Sequence, residues 1–404
     1  MKILFLTDNF PPEVNPPATR TMKNIKEWVK KDDIHITVIT CFPNYPKGKV
    51  YSGYKNKFYT KETIEDGKIT LIRVWTYMAA NSGVVKRILD QLSYAFMSLF
   101  FGLFQKYDII IATSPQFFTT WSAFFLSKIK RKPWVFELRD LWPESIEALG
   151  VIRNKSVLSI LESIELFLYN DAKIVISLTK AFKENLISRG ISPNKIHVIT
   201  NGVDSEIYSP KVKNHKLIEK LNLKNKFVVG YYGTHGISHA LDFIIESNHK
   251  MSDNKFHFLF VGDGAEKNSL LQLSKKYKLE NITFIDTVGE ESLLDYISIC
   301  DIGLVNLKKN DTFVKVIPSK LFNLASMKKP ILLGVDGEAR KILEHYNAGV
   351  FFEPENYQSF KENLLLLKDN HLVYNTCQEG CTSLANAYNH KKLANKMLDI
   401  IKER

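Results

Sequence analysis

Short apolar runs alternate with longer stretches of helical periodicity along almost the whole chain. In the first half the runs are Ile3–Leu6, Ile34–Thr40, Ile69–Trp75, Ile109–Thr113, Trp134–Leu138, Ile174–Ser177 and His197–Thr200. The second half repeats the theme with Phe227–Tyr232, His257–Val261, Ile282–Ile285, Ile302–Val305, Ile331–Leu333 and Val350–Phe352. Runs that are apolar at every position suit strands buried on both faces, and strand–helix alternation belongs to parallel α/β architecture. The pattern therefore predicts two doubly wound sheets. The seam falls at Asn201–Pro210 and the polar stretch 211–225, where turn formers and charge replace the apolar periodicity. From about Leu372 onward the pattern is helical.

Composition adds bounds. A chain of 404 residues, 45% hydrophobic and 24% charged, is long enough for two cores. The opening Met1–Thr7 reads as a first buried strand and not as a signal peptide, because it meets Asp8 and Pro11. Cys41, Cys300, Cys377 and Cys381 form no CxxC pair, so free thiols in a reducing cytoplasm are expected. The net charge of +12 is uneven: residues 1–200 carry +10 and the remainder +2. Such asymmetry points to a polyanionic partner, nucleic acid or an anionic membrane leaflet. The segment 84–107 has basic residues at both ends of a run rich in Phe, Leu and Met, too short to span a bilayer. It suits either an interfacial helix or a core helix. Neither a helix-turn-helix nor basic residues interleaved with stacking aromatics is visible, so nucleic acid is not expected.

Lys315–Asn323, running on to Pro330 and the apolar Ile331–Gly334, is the most informative stretch. Pro318 suits the first turn of a helix of about three turns, while Ser319 and the adjacent N–H groups with Lys320 form an anion site. A buried strand follows, so the site would lie at the mouth of an α/β sheet, where nucleotides bind.

Six motifs in order carry a resemblance. They are Lys2–Arg20 (KILFLTDNFPPEVNPPATR), Phe136–Ser145 (FELRDLWPES), Asn201–Asp204, Tyr232–Leu241 (YGTHGISHAL), Val261–Gly264 and Pro318–Phe322. Together they resemble the retaining GT-B glycosyltransferases of group 4, within them the enzymes of capsule, O-antigen and colanic-acid assembly, and most closely those moving N-acetylfucosamine-type sugars. The resemblance implies two Rossmann-like domains facing across a cleft: residues 1–203 for the acceptor, 204–384 for the nucleotide sugar, with 385–404 returning to the first. It implies a UDP-sugar donor, a lipid-linked saccharide acceptor and a peripheral place on the cytoplasmic face of the membrane. Donor contacts would come from Gly233, Thr234, His239, Gly262, Gly264, Thr287, Ser319 and Lys320, with His239 and Lys320 as the two cations on the diphosphate. Asn15 and Pro16, in the loop Glu13–Ala18, would lie against the diphosphate and sugar.

Two departures matter. Where relatives carry two glutamates eight positions apart, this chain has Lys315 and Asn323; the amide can still hydrogen-bond a ribose hydroxyl, and Lys315 would favour an acidic group. Where relatives show His-Asp, it has Arg139-Asp140, leaving Asp140 and Glu137, with Glu144 behind them, as candidate catalytic carboxylates. No two aspartates are separated by one residue, so a metal clamp is not expected. A UDP-sugar 2-epimerase of the same fold, or a non-catalytic binder of nucleotide sugars, remain as alternatives.

Overall fold

A computed structural model describes residues 1–45, 47–79, 84–114, 117–141 and 154–403. Two compact units emerge: Met1–Asn201 with His390–Arg404, and Gly202–Asn389. The first holds eight strands: β1 (Lys2–Leu6), β2 (His35–Cys41), β3 (Tyr59–Ile64), β4 (Ile69–Val74), β5 (Ile109–Thr113), β6 (Trp134–Leu138), β7 (Ile174–Ser177) and β8 (Ile196–Val198). Their order is β3-β4-β2-β1-β5-β6-β7-β8. All pairs are parallel except β3 with β4. The second unit holds β9 (Phe227–Tyr232), β10 (Phe256–Val261), β11 (Ile282–Ile285), β12 (Ile302–Asn306), β13 (Ile331–Gly334) and β14 (Gly349–Phe351), in the order β11-β10-β9-β12-β13-β14, parallel throughout.

The apolar runs become strands because both sheet faces are covered. Ile3 and Phe5 of β1 pack with Trp28 of helix Pro16–Trp28 and with Met397 and Leu398 of helix His390–Lys402. Leu4 and Leu6 face the opposite way, onto Tyr94, Met97 and Leu126 of helices Val84–Leu103 and Phe117–Lys130. The successive side chains thus enter two separate cores. Trp28 fixes the returning helix by donating its indole N–H to the Ala394 carbonyl at 2.7 Å.

Two expectations need correction. The return to the first unit begins at His390, since helix His371–Ala387 packs within the second unit, not at residue 385. The edge strand β3 adds to the runs read from the sequence: YTKETI lacks an apolar run because the strand is largely exposed and gains order from backbone pairing with β4. The helix after Pro318 is Lys320–Ser326, only seven residues, because Lys328 turns into the left-handed region at φ 53° and Pro330 follows. Among the described residues no helix is long and apolar enough to cross a membrane.

Each sheet has one place where strand order reverses direction, β1/β5 in the first unit and β9/β12 in the second. In sheets of this kind ligands usually bind outside the carboxyl ends of the strands at such a reversal.

Candidate active site

At the β9/β12 crevice three side chains gather around Tyr231. Lys320 places its ammonium 4.4 Å from the ring centroid and donates to the phenol oxygen at 2.9 Å. The His239 ring stands edge-on at 5.8 Å and the His235 ring at 5.9 Å. Lys320 has no carboxylate within ion-pair distance among the described residues. Desolvation pushes its pKa down from 10.5 to about 7, a large cost for a lysine left uncompensated. Leu321, Phe322, Leu324 and Ala325 are buried and anchor the short helix, which fixes Lys320 on its opposite side.

His239 is not a second cation in the unliganded protein. Burial first, and then Lys320, hold its imidazole at about pKa 3, so it is neutral and can offer a hydrogen bond but no charge. Its Nδ1 is buried without a partner, while Asn306 at the end of β12 donates to its backbone carbonyl at 3.0 Å. His235, missed at the sequence level, is fully buried with both ring nitrogens unpartnered, packed against Phe260 and Phe284, and held neutral at about pKa 4 by burial and Lys267. Its position two residues past Gly233, at the end of a buried strand, was the available signal.

The glycines serve close packing of two loops. A Cβ on Gly262 (φ 145°) would stand 1.9 Å from the Gly233 carbonyl oxygen, and one on Gly264 would stand 2.4 Å from the His235 carbonyl. A Cβ on Gly233 (φ 123°) would meet the Lys320 side chain at 2.8 Å. The Gly233 and Gly262 amides are engaged in the sheet, donating to Val261 and Ile285 at 2.9 Å each, so they are not donors for a ligand. Their role is to bring the loops, and with them His235 and Lys320, into register. Gly262→Ala is accordingly expected to destabilise the protein by roughly 2–4 kcal/mol through overpacking and strain. Chemical denaturation measures this, and a change under 0.5 kcal/mol would contradict the packing described.

Thr287 is exposed in the loop after β11, beside Asp286, which pairs with Lys267. Ser319 is exposed at the helix start and makes no side-chain cap, and Asn323 lies half-buried one turn on. Lys315 is half-buried in a short 3-10 turn, Phe313–Lys315.

In the first unit the proposed catalytic carboxylates separate. Glu137 is fully buried at the end of β6 and takes the Arg20 Nε at 2.8 Å. Burial alone would raise its pKa, but Arg20 and Arg139 hold it below the ordinary carboxylate value. Arg20 also donates to the carbonyls of Thr200 and Ile199 and to Asn201, joining helix Pro16–Trp28 to β6 and the end of the β8 loop. Glu137 is thus a strut. Asp140 is exposed, and surrounding protein raises its pKa against the pull of Arg139. Arg139 is buried, with one terminal nitrogen unpartnered and its pKa lowered by desolvation to about 10. Glu144 lies outside the described residues.

Asn15 is the N-cap of helix Pro16–Trp28: its Oδ1 accepts the Ala18 amide at 2.9 Å and its Nδ2 donates to Asn9 at 2.6 Å. Pro16 is the first helical residue, so the expected loop to Ala18 ends at Asn15. Buried Glu13 spans from this loop to the next one, accepting the Asn44 and Tyr45 amides at 2.8 Å each.

Comparisons agree with this architecture. The family model described as "Glycosyltransferase Family 4" matches residues 18–207, and "Glycosyl transferases group 1" matches residues 213–381. The chain is a GT-B glycosyltransferase of the group 1/family 4 class. WcaI of Escherichia coli K12, named as a colanic acid biosynthesis glycosyl transferase, is 25% identical over 388 residues, covering 92% of this chain and 94% of its own. TuaH of Bacillus subtilis 168, named for teichuronic acid biosynthesis, is 24% identical over 201 residues, 49% of each chain. Among solved structures, HepE of Anabaena in complex with UDP and glucose superposes with a TM-score of 0.72 at 16% identity, covering all of both chains. Sucrose-phosphate synthase of Thermosynechococcus elongatus gives 0.78 at 13%, covering 100% of this chain and 98% of its own. In this glycosyltransferase the β9/β12 crevice offers a cationic lysine and two neutral imidazoles. Such a set stabilises negative charge without supplying a strong base. Among the described residues no group of three or more His, Cys, Asp or Glu side chains could hold a metal ion.

Proposed function

We propose that this glycosyltransferase moves a hexosamine, of the N-acetylfucosamine type, with retention, from a UDP-sugar to a polyprenyl-diphosphate-linked saccharide in capsule or O-antigen assembly. The observation carrying the donor reading is the uncompensated Lys320 at the β9/β12 crevice: a desolvated ammonium with no carboxylate is matched by a ligand diphosphate. His239, with an unpartnered buried Nδ1, is assigned a hydrogen bond to the same anion, and Gly233, Thr234, Gly262, Gly264 and Ser319 are assigned to its approach. Thr287 on the β11 side is assigned to the base, Asn323 to the ribose, and Lys315 to an acidic group on the donor. In retaining chemistry the departing phosphate takes the acceptor proton, so Asp140 is assigned to orienting the acceptor hydroxyl and not to acting as a strong base. No metal is assigned. Colanic and teichuronic acid assembly by the named relatives supports a polysaccharide product, and the FELRDLWPES block supports the sugar class. We place the enzyme at the cytoplasmic membrane face, reached through its basic first unit.

The test is transfer: purified protein, lipid-linked saccharide acceptors and a panel of UDP-sugars should give UDP release only when acceptor is present. Epimerised free nucleotide sugar without acceptor would indicate the epimerase, and no product with any pair overturns the proposal.

The lysine also sets a pH signature. Below about pH 7 Lys320 is already protonated; above it, a bound diphosphate favours the charged form and a proton must be taken up. UDP affinity should therefore fall above pH 7, approaching roughly tenfold per unit, with uptake of about one proton seen by calorimetry at alkaline pH. A pH-independent affinity between 7 and 9 would remove the diphosphate from Lys320.

A further inference from the structure

Helix Val84–Leu103 covers the first sheet with Tyr94, Met97 and Phe101, yet its outward face is apolar as well. Ile88, Leu92 and Phe96 recur at four-residue spacing and are exposed, flanked by exposed Leu89 and Phe100. A helix that serves only to cover a sheet would carry polar residues there.

The face continues onto neighbouring elements. Phe100 packs edge-on against Phe58 beside strand β3 at 6.4 Å and against Phe104 at 5.2 Å. Helix Phe117–Lys130 lies alongside, with the Ser122 hydroxyl on the Ala95 carbonyl and Leu126 filling the space above Gly102. It adds Phe125 and Ile129. Phe96, Phe104 and Ile129 expose 68%, 69% and 59% of their surface.

Charge identifies the occupant. Both ends of the face are basic: Lys86 and Arg87 begin the first helix, while Lys106, Lys130 and Lys132 stand beyond Phe104 and Ile129. These last three line a cavity of about 730 Å³ at the amino edge of the sheet, together with Lys2 and His35, and with Asp33 and Asp108. Asp33 is paired with Lys402 and Asp108 accepts the Lys2 amide. Lys106, Lys130 and Lys132 have no carboxylate within ion-pair distance among the described residues. Helix Phe117–Lys130 contains no acidic residue, and Asp90 is the single one on its neighbour. A second copy docked about a two-fold axis would set basic ends against basic ends. A bilayer offers both partners at once: acyl chains for the aromatic face, and anionic headgroups for the rim.

We propose that this face, Phe58 with the outward sides of helices Val84–Leu103 and Phe117–Lys130, seats on an anionic lipid leaflet, with lipid phosphate held in the cavity lined by Lys106, Lys130 and Lys132. This deepens the placement of the enzyme at a membrane surface and rests on that reading, but makes no use of donor or acceptor chemistry. The lipid site lies at the amino edge of the first unit's strands, opposite to the carboxyl edge of the same sheet, where Glu137 and Asp140 stand.

Vesicle flotation of the full chain tests it, using phosphatidylcholine vesicles with and without 30% phosphatidylglycerol. The wild type should float with the mixed vesicles. The triple change Phe96→Ser, Phe100→Ser, Phe104→Ser should abolish flotation with both vesicle types. Lys106→Glu, Lys130→Glu, Lys132→Glu should lower partition to the anionic vesicles by roughly a hundredfold, from about fivefold per lysine, while leaving weak binding to neutral ones. Calorimetric UDP affinity, unchanged in both variants, shows that folding and the donor site are intact. Failure of the wild type to float, flotation undiminished in the aromatic variant, or a solution dimer that the aromatic variant splits would each overturn the proposal. Flotation as expected with no sugar transfer would leave this surface standing and remove the acceptor assignment instead.

Discussion

Lys320→Met is expected to lower sugar transfer by about 10²–10³-fold, the range found when one preorganised group facing developing charge is removed. The same change should raise folding stability by roughly 1–3 kcal/mol, because it deletes a desolvated ammonium that no carboxylate compensates. The opposite signs are the informative part. A lysine retained for structure would give lower stability and a matching loss of activity; one retained for an absent anion gives a tighter fold and a silent enzyme. The gain should also depend on pH. Because the folded pKa lies near 7 and the unfolded one at 10.5, the penalty is fully present below 7 and fades as pH rises toward 10.5. Thermal unfolding at pH 6 and pH 10 with steady-state rates separates the cases.

Arg20→Ala is expected to cost about 3–5 kcal/mol, since it removes the guanidinium hydrogen-bonded to the buried, charged Glu137 and frees three backbone or amide acceptors. Arg20→Met with Glu137→Gln should recover most of that loss, because the residual penalty is then a neutral amide. The stabilisation carried by Glu137, whose folded pKa is depressed, is complete above the ordinary carboxylate range and disappears as pH falls through the folded value. Urea titrations at neutral pH of the single and double variants measure the coupling. If Arg20→Ala unfolds within 1 kcal/mol of wild type, Glu137 is not the strut described, and a catalytic role for it returns.

The sheets were legible in the sequence because thirteen of the fourteen strands coincide with short, mostly apolar runs, the pattern of strands covered by helices. Strand β3 was not, since an edge strand is specified by its partner's backbone and its own side chains remain polar. Lys320 stands out in the sequence at Pro318-Ser-Lys, and in the structure it and His239 both contact Tyr231. The charge of His239 was not legible, because it depends on burial that residue identity does not disclose. Glu137 and Arg20 are 117 positions apart, and nothing local to either marks the pair. The packing role of Gly233 and Gly262 was not legible either: their amides are engaged in the sheet and their missing Cβ atoms let two loops meet.

A crystal structure with UDP bound tests the central claim most directly. The account predicts a diphosphate oxygen about 2.8–3.0 Å from the Lys320 Nζ, a charge-assisted hydrogen bond that draws the ammonium away from the Tyr231 hydroxyl. A nucleotide bound elsewhere, with Lys320 still resting on Tyr231, would contradict it.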